Sequence, residues 1–148
     1  MNQSELSIDV LNRMSEVAIV AEERAPYGSA IGKGFRDLRV WQAGMDLVDA
    51  CYRASQVFPS TERFGLTDQL RRAAVSVASN IAEGWGRNTN AEFARFVDIS
   101  IGSLCEVESL IEVASRLKYV TPETLANLLE RANKVGSMQH RLRASLRS

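Results

Sequence analysis

Three carboxylates, Glu83, Glu106 and Glu108, are the first residues to weigh for chemistry. Inward-facing acids in a helical bundle can hold a di-iron centre, but such centres need Glu-x-x-His pairs on two helices. The chain has a single histidine, His140, and lacks that spacing. No carboxylate metal site is expected. Nucleophilic catalysis has no better footing. Ser76 and Ser103 have no histidine base within reach of any pattern. Cys51 and Cys105 sit in apolar helical rows and read as buried small hydrophobes, not as a disulfide. There is no C-x-x-C pair, which argues against zinc or haem. Gly32-Lys33 lacks the upstream glycine and the following Ser or Thr of a phosphate-binding loop. We expect no catalytic residue, no metal and no cofactor, and read the chain as a non-enzyme.

What remains is polar surface with a pattern. Between Gln69 and Arg87 the chain reads QLRRAAVSVASNIAEGWGR. Leu66, Leu70, Ala73, Val77 and Ile81 recur at helical steps and share one face. Arg72, Ser76, Asn80 and Glu83 recur on a neighbouring face. With Arg87, Ser103 and Glu106 they form a candidate seam. It reads as a polar network tying two helices together, or as a contact for another subunit or for phosphate. Structure or self-assembly is the favoured reading, because buried charges must be paired and such networks fix register. Gly102-Ser103 falls in mid-helix, where glycine costs about 1 kcal/mol relative to alanine. A close helix approach, or a helix packed from another chain, would explain it. Gly44 invites the same reading. Trp85 is expected in the core or in a subunit contact.

The end of the chain carries its one basic run: Arg131, Lys134, Arg141, Arg143 and Arg147, with no acid after Glu130. Cations complement a helix C-terminus, and ordinary solvation accounts for the rest. The sharper reading is a patch for RNA or DNA backbone, enlarged by Arg71, Arg72 and Arg87. No aromatic stacking platform accompanies the charge. Over all 148 residues the formal net charge is zero, so any such claim rests on a local patch.

These residues need elements to place them. A chain of this length buries roughly 70% of its unfolded surface and folds without a metal or disulfide. No run approaches 18 apolar residues, so no membrane span is expected. The N-terminus does not read as a signal peptide, and the expected compartment is the cytoplasm. Met1 to Arg24 reads as a short amphipathic helix with Leu6, Val10, Met14, Val17 and Ala21 near one face. Asp9, Glu16, Glu22 and Glu23 make the rest largely acidic. Pro26 to Gly34 holds three glycines and marks a linker.

Four longer helices follow. The first is expected from Asp37, its N-cap, to Val57, with Leu38, Trp41, Met45, Val48 and Tyr52 as a core seam. Phe58-Pro59 ends it. The second begins after Ser60, with an irregular turn near Gly65 or a cleaner start capped by Thr67. It stops at Gly84 or Gly86. The third opens on a capping box at Thr89 to Glu92 and ends near Lys118. Its core face is Phe93, Phe96, Ser100, Leu104, Val107, Ile111 and Ala114. The fourth opens on Thr121-Pro122-Glu123 and buries Leu125, Leu128, Ala132, Val135, Leu142 and Leu146. Short links favour antiparallel neighbours. The expected fold is all-α: an antiparallel up-and-down four-helix bundle at 35–148, with an added N-terminal arm and linker at 1–34.

The phrases FRDLRVWQAGMDL, FPSTERFGLTDQLRRAAVSVASNIAEGWGR and FARFVDISIGSLCEVES resemble the ribosomal RNA intervening-sequence proteins, a family of bacterial four-helix bundles. The resemblance covers Phe35 to Val120 and is sharpest at Asn80 to Gly84 and at Gly102-Ser103 with Glu106. It implies a homopentamer of largely unassigned molecular function. A more distant resemblance is to the accessory protein of diversity-generating retroelements, a pentameric bundle that engages a reverse transcriptase and nucleic acid. That likeness makes Arg71, Arg72 and Arg87 candidate nucleic-acid contacts; the basic tail is outside it. The leading expectation is a non-enzymatic oligomeric scaffold whose copies meet through Ser76, Asn80, Gly102 and Ser103. The alternative is a nucleic-acid-binding accessory factor. Met1 to Gly34 lies outside the resemblance and reads as an arm that docks on a neighbouring subunit or partner.

Overall fold

A computed structural model describes residues 34–148 of the chain. The arm and linker expected over 1–34 lie outside the described residues, apart from Gly34. Among the described residues there are four α-helices and two short 3-10 turns, and no strand. The helices are α1 (Arg39–Ser55), α2 (Leu66–Trp85), α3 (Asn90–Arg116) and α4 (Pro122–Arg147). Each packs on the next, and α4 returns to α1. Gly44 meets Ala78 while Ser55 meets Arg71, Gly84 meets Phe93 while Ser76 meets Ser103, and Leu104 meets Gly136 while Asp98 meets Arg143, so successive helices run antiparallel. One pole therefore holds the starts of α1 and α3 and the ends of α2 and α4. The connections at 56–65 and 117–121 occupy the other.

The helix starts follow the chemistry of their caps. Thr89 accepts the Glu92 amide at 3.1 Å and opens α3. Thr121 accepts the Thr124 amide at 3.1 Å, and Pro122 supplies the preset first-turn geometry of α4. Asp37 is not the cap of α1, as the sequence suggested. It belongs to the 3-10 turn Phe35–Asp37, and Leu38 occupies the cap position without a side-chain bond. That turn packs Phe35 edge-on against Trp41 and buries Leu38 to 2% exposure. Nor does Thr67 cap α2. The helix starts at Leu66, whose amide donates to the Glu62 carboxylate at 2.8 Å. Of the two expected stops, Gly86 ends α2, while Gly84 lies inside it.

Gly84 is required by close packing. A Cβ there would stand 2.6 Å from Phe93 Cδ2 and 2.8 Å from Phe96 Cβ, so only glycine lets α3 approach. The expected core rows of α2, α3 and α4 are largely buried. Phe96 and Leu125 are only half-buried. Of the row expected for α1, Leu38 is buried and Trp41 and Val48 pack half-buried against the interior, but the row is not the main core face. Val40, Ala43, Gly44, Leu47, Cys51 and Ser55 face inward, while Met45 and Tyr52 are each 41% exposed. The helix is apolar on two adjacent faces, and periodicity does not say which is covered.

The interior falls into two apolar clusters. One, toward the pole with the loops, includes Leu47, Leu70, Val77, Leu104, Ile111 and Val135. The other, toward the pole where the described chain begins, includes Leu38, Ile81, Phe93, Val97 and Leu142. Burying each such side chain is worth about 1.5–3 kcal/mol. Between the clusters lies a polar layer that the sequence pattern did not predict. Ser100 Oγ donates to the Val77 carbonyl at 2.6 Å, and Gln139 Nε2 donates to Ser100 Oγ at 2.8 Å. Both side chains are fully buried. Because the single hydroxyl proton of Ser100 goes to Val77, Ser100 can only accept from Gln139. Among the described residues the Gln139 Oε1 has no partner. Cys51 is buried in the first cluster, and desolvation pushes its thiol from 9.0 to about 12.

Three outcomes are expected. Gly84→Ala should lower stability by about 1–3 kcal/mol through overpacking, despite alanine's better helix propensity. Urea titration followed by circular dichroism measures it; a gain would mean that Phe93 and Phe96 yield freely. Ser100→Ala strands the Gln139 amide and should cost about 1–3 kcal/mol. Gln139→Leu removes the orphan oxygen at similar volume and should leave stability equal or higher. The reverse order in the same assay would refute this account of the layer. Finally, folded Cys51 holds its proton more tightly than the unfolded chain does. Its contribution is complete below the ordinary value of 9.0 and is lost as the pH rises toward about 12. The slope is about 1.4 kcal/mol per pH unit. Cys51→Ala should flatten the alkaline loss of stability; an unchanged slope would count against a buried neutral thiol.

Candidate functional site

The outer seam between α2 and α3 gathers part of the expected polar set. The Ser76 and Ser103 hydroxyls lie 2.8 Å apart across the two helices. Asn80 Nδ2 donates to the Ser76 carbonyl at 2.8 Å and to its hydroxyl at 3.0 Å. These three side chains are half-buried and hydrogen-bonded in a chain from Asn80 through Ser76 to Ser103. The remaining members are elsewhere. Glu83, in the last turn of α2, pairs with Arg87 just beyond the helix end at 2.8 Å, both side chains about half exposed. Exposed pairs of this kind contribute at most about 1 kcal/mol. Arg72 reaches Asp68 only at 3.6 Å. Glu106 and Gly102 are exposed on α3 and join none of these bonds.

Gly102 and Gly44 turn out to be different cases. A Cβ on Gly44 would meet the Ala78 Cβ at 3.5 Å, so α1 and α2 approach closely there. A Cβ on Gly102 would meet nothing within 4 Å among the described residues. The outward row of α3 through it reads Ile99, Gly102, Glu106, Ser109 and Val113, at alternating steps of three and four. Ile99 and Val113 are 44% and 41% exposed. Trp85 packs edge-on against Phe93 and joins the second core cluster.

The candidate cations do not converge within one chain. Arg71 is half-buried: its Nε donates to Ser55 Oγ at 2.8 Å, and its guanidinium lies 4.7 Å from the Tyr52 ring centre. It joins α2 to the last turn of α1. Arg87, just past the end of α2, lies over Phe96 at 4.6 Å, at the opposite pole from Arg71 and about 24 Å from it along the helix direction. Arg131 and Lys134 are exposed in the first half of α4, with Arg131 donating to Asn127 at 3.0 Å. Arg143 meets Asp98 at 3.1 Å, and Arg147 meets the other oxygen of the same carboxylate. Arg141 donates to the Ser137 carbonyl. The basic tail is thus partly neutralised by an acid from α3, a pairing across 45 residues that local sequence cannot show.

Reading along the chain also missed a groove of about 570 Å³ between the end of α1 and the start of α4. Ala50, Ala54, Val57, Tyr119 and Leu128 supply its apolar wall, with Arg53 and Arg131 beside them. These residues come from separate segments, so no single periodicity signals them. Cys105 is exposed, against the expectation that both cysteines are buried, and both are free. It lies three residues beyond Gly102, on the solvent side of α3. His140 is exposed, with Nδ1 3.2 Å from Arg143. Among the described residues no three of His, Cys, Asp or Glu are placed to hold a metal ion, and no helix is long and apolar enough to cross a membrane.

Two comparisons bear on this arrangement. A solved protein of unknown function from the S23 ribosomal protein family of Bacteroides thetaiotaomicron has the same fold. It is 18% identical, with a TM-score of 0.63 over 68% of this chain and 94% of that one. No curated protein matches. The family described as 23S rRNA-intervening sequence protein matches residues 36–141, from the turn before α1 through all of α2 and α3 and well into α4. That span contains the α2–α3 seam, Gly84 and the Ser100–Gln139 layer, and the chain belongs to the 23S rRNA-intervening sequence protein family.

Proposed function

We propose that this protein is a non-enzymatic scaffold whose copies associate along the outer face of α3. Gly102 carries the reading. It stands in mid-helix with open space where its side chain would be. Glycine there costs about 1 kcal/mol of helix stability, and no neighbour among the described residues accounts for it. A second helix seated on that row would account for it, with Ile99 and Val113 as apolar contacts on either side of Gly102. Ser76, Asn80 and Ser103, hydrogen-bonded to one another within the chain, would stiffen the neighbouring seam. The family resemblance implies five copies, and a homopentamer is the assembly we propose.

The family description speaks of intervening sequences in 23S rRNA. A nucleic-acid accessory role, with RNA or a reverse transcriptase as partner, is therefore the other reading. It has less support from the geometry. Its candidate arginines are spread over both poles, and Arg143 and Arg147 share Asp98.

Gly102→Leu should abolish the oligomer while leaving helicity within a few per cent of wild type, because the new side chain meets nothing among the described residues and leucine favours a helix over glycine. Multi-angle light scattering and circular dichroism on the same samples read both quantities. An unchanged oligomer mass in the variant, or a monomeric wild type at high concentration, would overturn the proposal.

A further inference from the structure

The second apolar face of α1 lacks a cover among the described residues. Trp41, Met45, Val48 and Tyr52 follow one another at steps of four, three and four. Met45 and Tyr52 are exposed, and Trp41 and Val48 are half-buried. Gly44 against Ala78 at 3.5 Å and Arg71 against the Tyr52 ring at 4.7 Å set the antiparallel register of α1 and α2. That register brings Val75 of α2, 43% exposed, level with Val48. An apolar furrow therefore follows the outer seam of α1 and α2 for about 17 Å. Asp46 and Asp49 lie on the other flank of α1, toward Arg53 and Arg131.

The chain upstream of Gly34 contains a segment with the complementary pattern. Read backward, Ala21, Val17, Met14 and Val10 step by four, three and four, as Trp41, Met45, Val48 and Tyr52 do read forward. Two antiparallel helices matched in this way place apolar residues opposite apolar residues at every step. Leu6 extends the row by one more turn. The linker after Arg24 has about ten residues and can reach about 33 Å. Gly34 lies at the pole where α1 begins, so the segment can turn back there and run beside α1 toward Tyr52. In that orientation Glu5 and Asp9 come to the end of the furrow that holds Arg71.

We propose that residues 6–21 of the same chain form a helix in this furrow, antiparallel to α1, covering Met45, Val48, Tyr52 and Val75. This surface is distinct from the α3 row, so the two assignments stand or fall separately.

The test uses the full-length chain with Cys105→Ser as background. Val17→Cys and Met45→Cys are introduced together, followed by mild oxidation. A disulfide within one chain, seen as a faster-running single-chain band that reductant reverses, is expected. Covalently linked pairs of chains would place the segment on a second copy and overturn the proposal, as would no linkage at all. Hydrogen exchange gives an independent reading. Amides of residues 6–21 should exchange at least about tenfold more slowly in the wild type than in Met45→Glu. Equal rates in the two would also overturn it.

Discussion

The contact between α2 and α3 is the constraint on which the rest of the bundle depends. At one end Gly84 lets two phenylalanines of α3 lie against the α2 backbone. In the middle the Ser100 hydroxyl reaches the Val77 carbonyl. Beside it Ser76 meets Ser103. Small side chains and short hydroxyls allow backbones to come close, and a close pair of helices leaves little freedom to slide. Helices α1 and α4 then pack on a surface whose register is already set.

Polar groups in an apolar interior act by position more than by strength. Gln139 reaches the serine that α2 already holds, so three helices are tied at one level. Moving α4 by one residue would leave a buried amide with no bond. The unpartnered oxygen of Gln139 suggests that the layer contributes more to alignment than to net stability.

Much of this was legible in the sequence, and the failures have physical causes. The inward rows of α2, α3 and α4 were readable because each has one dominant apolar face. So were the starts at Thr89 and Thr121, where the cap residue declares itself locally. Helix α1 was misread because Trp41, Met45, Val48 and Tyr52 satisfy helical spacing as well as Val40, Ala43, Leu47 and Cys51 do. Which row is covered depends on where α2 and α4 sit. Gln139 was invisible for a related reason: a polar residue in an apolar row signals solvent unless its partner is known. The part of the candidate site within α2 and across to Ser103 was readable from spacing. The neutralisation of the α4 tail by Asp98 was not, since those groups are far apart along the chain and meet only after folding.

An even number of antiparallel rods gives the bundle a polarity. Gly34 and Ser148 belong to the same pole, so any chain before the one or after the other meets the domain there. The opposite pole, with Phe64 and Val57 largely in solvent, is built only of closed turns. The two poles of each subunit therefore differ, one bearing the chain's entry to α1 and exit from α4 and the other only turns, so a ring of such subunits would have two chemically unlike rims.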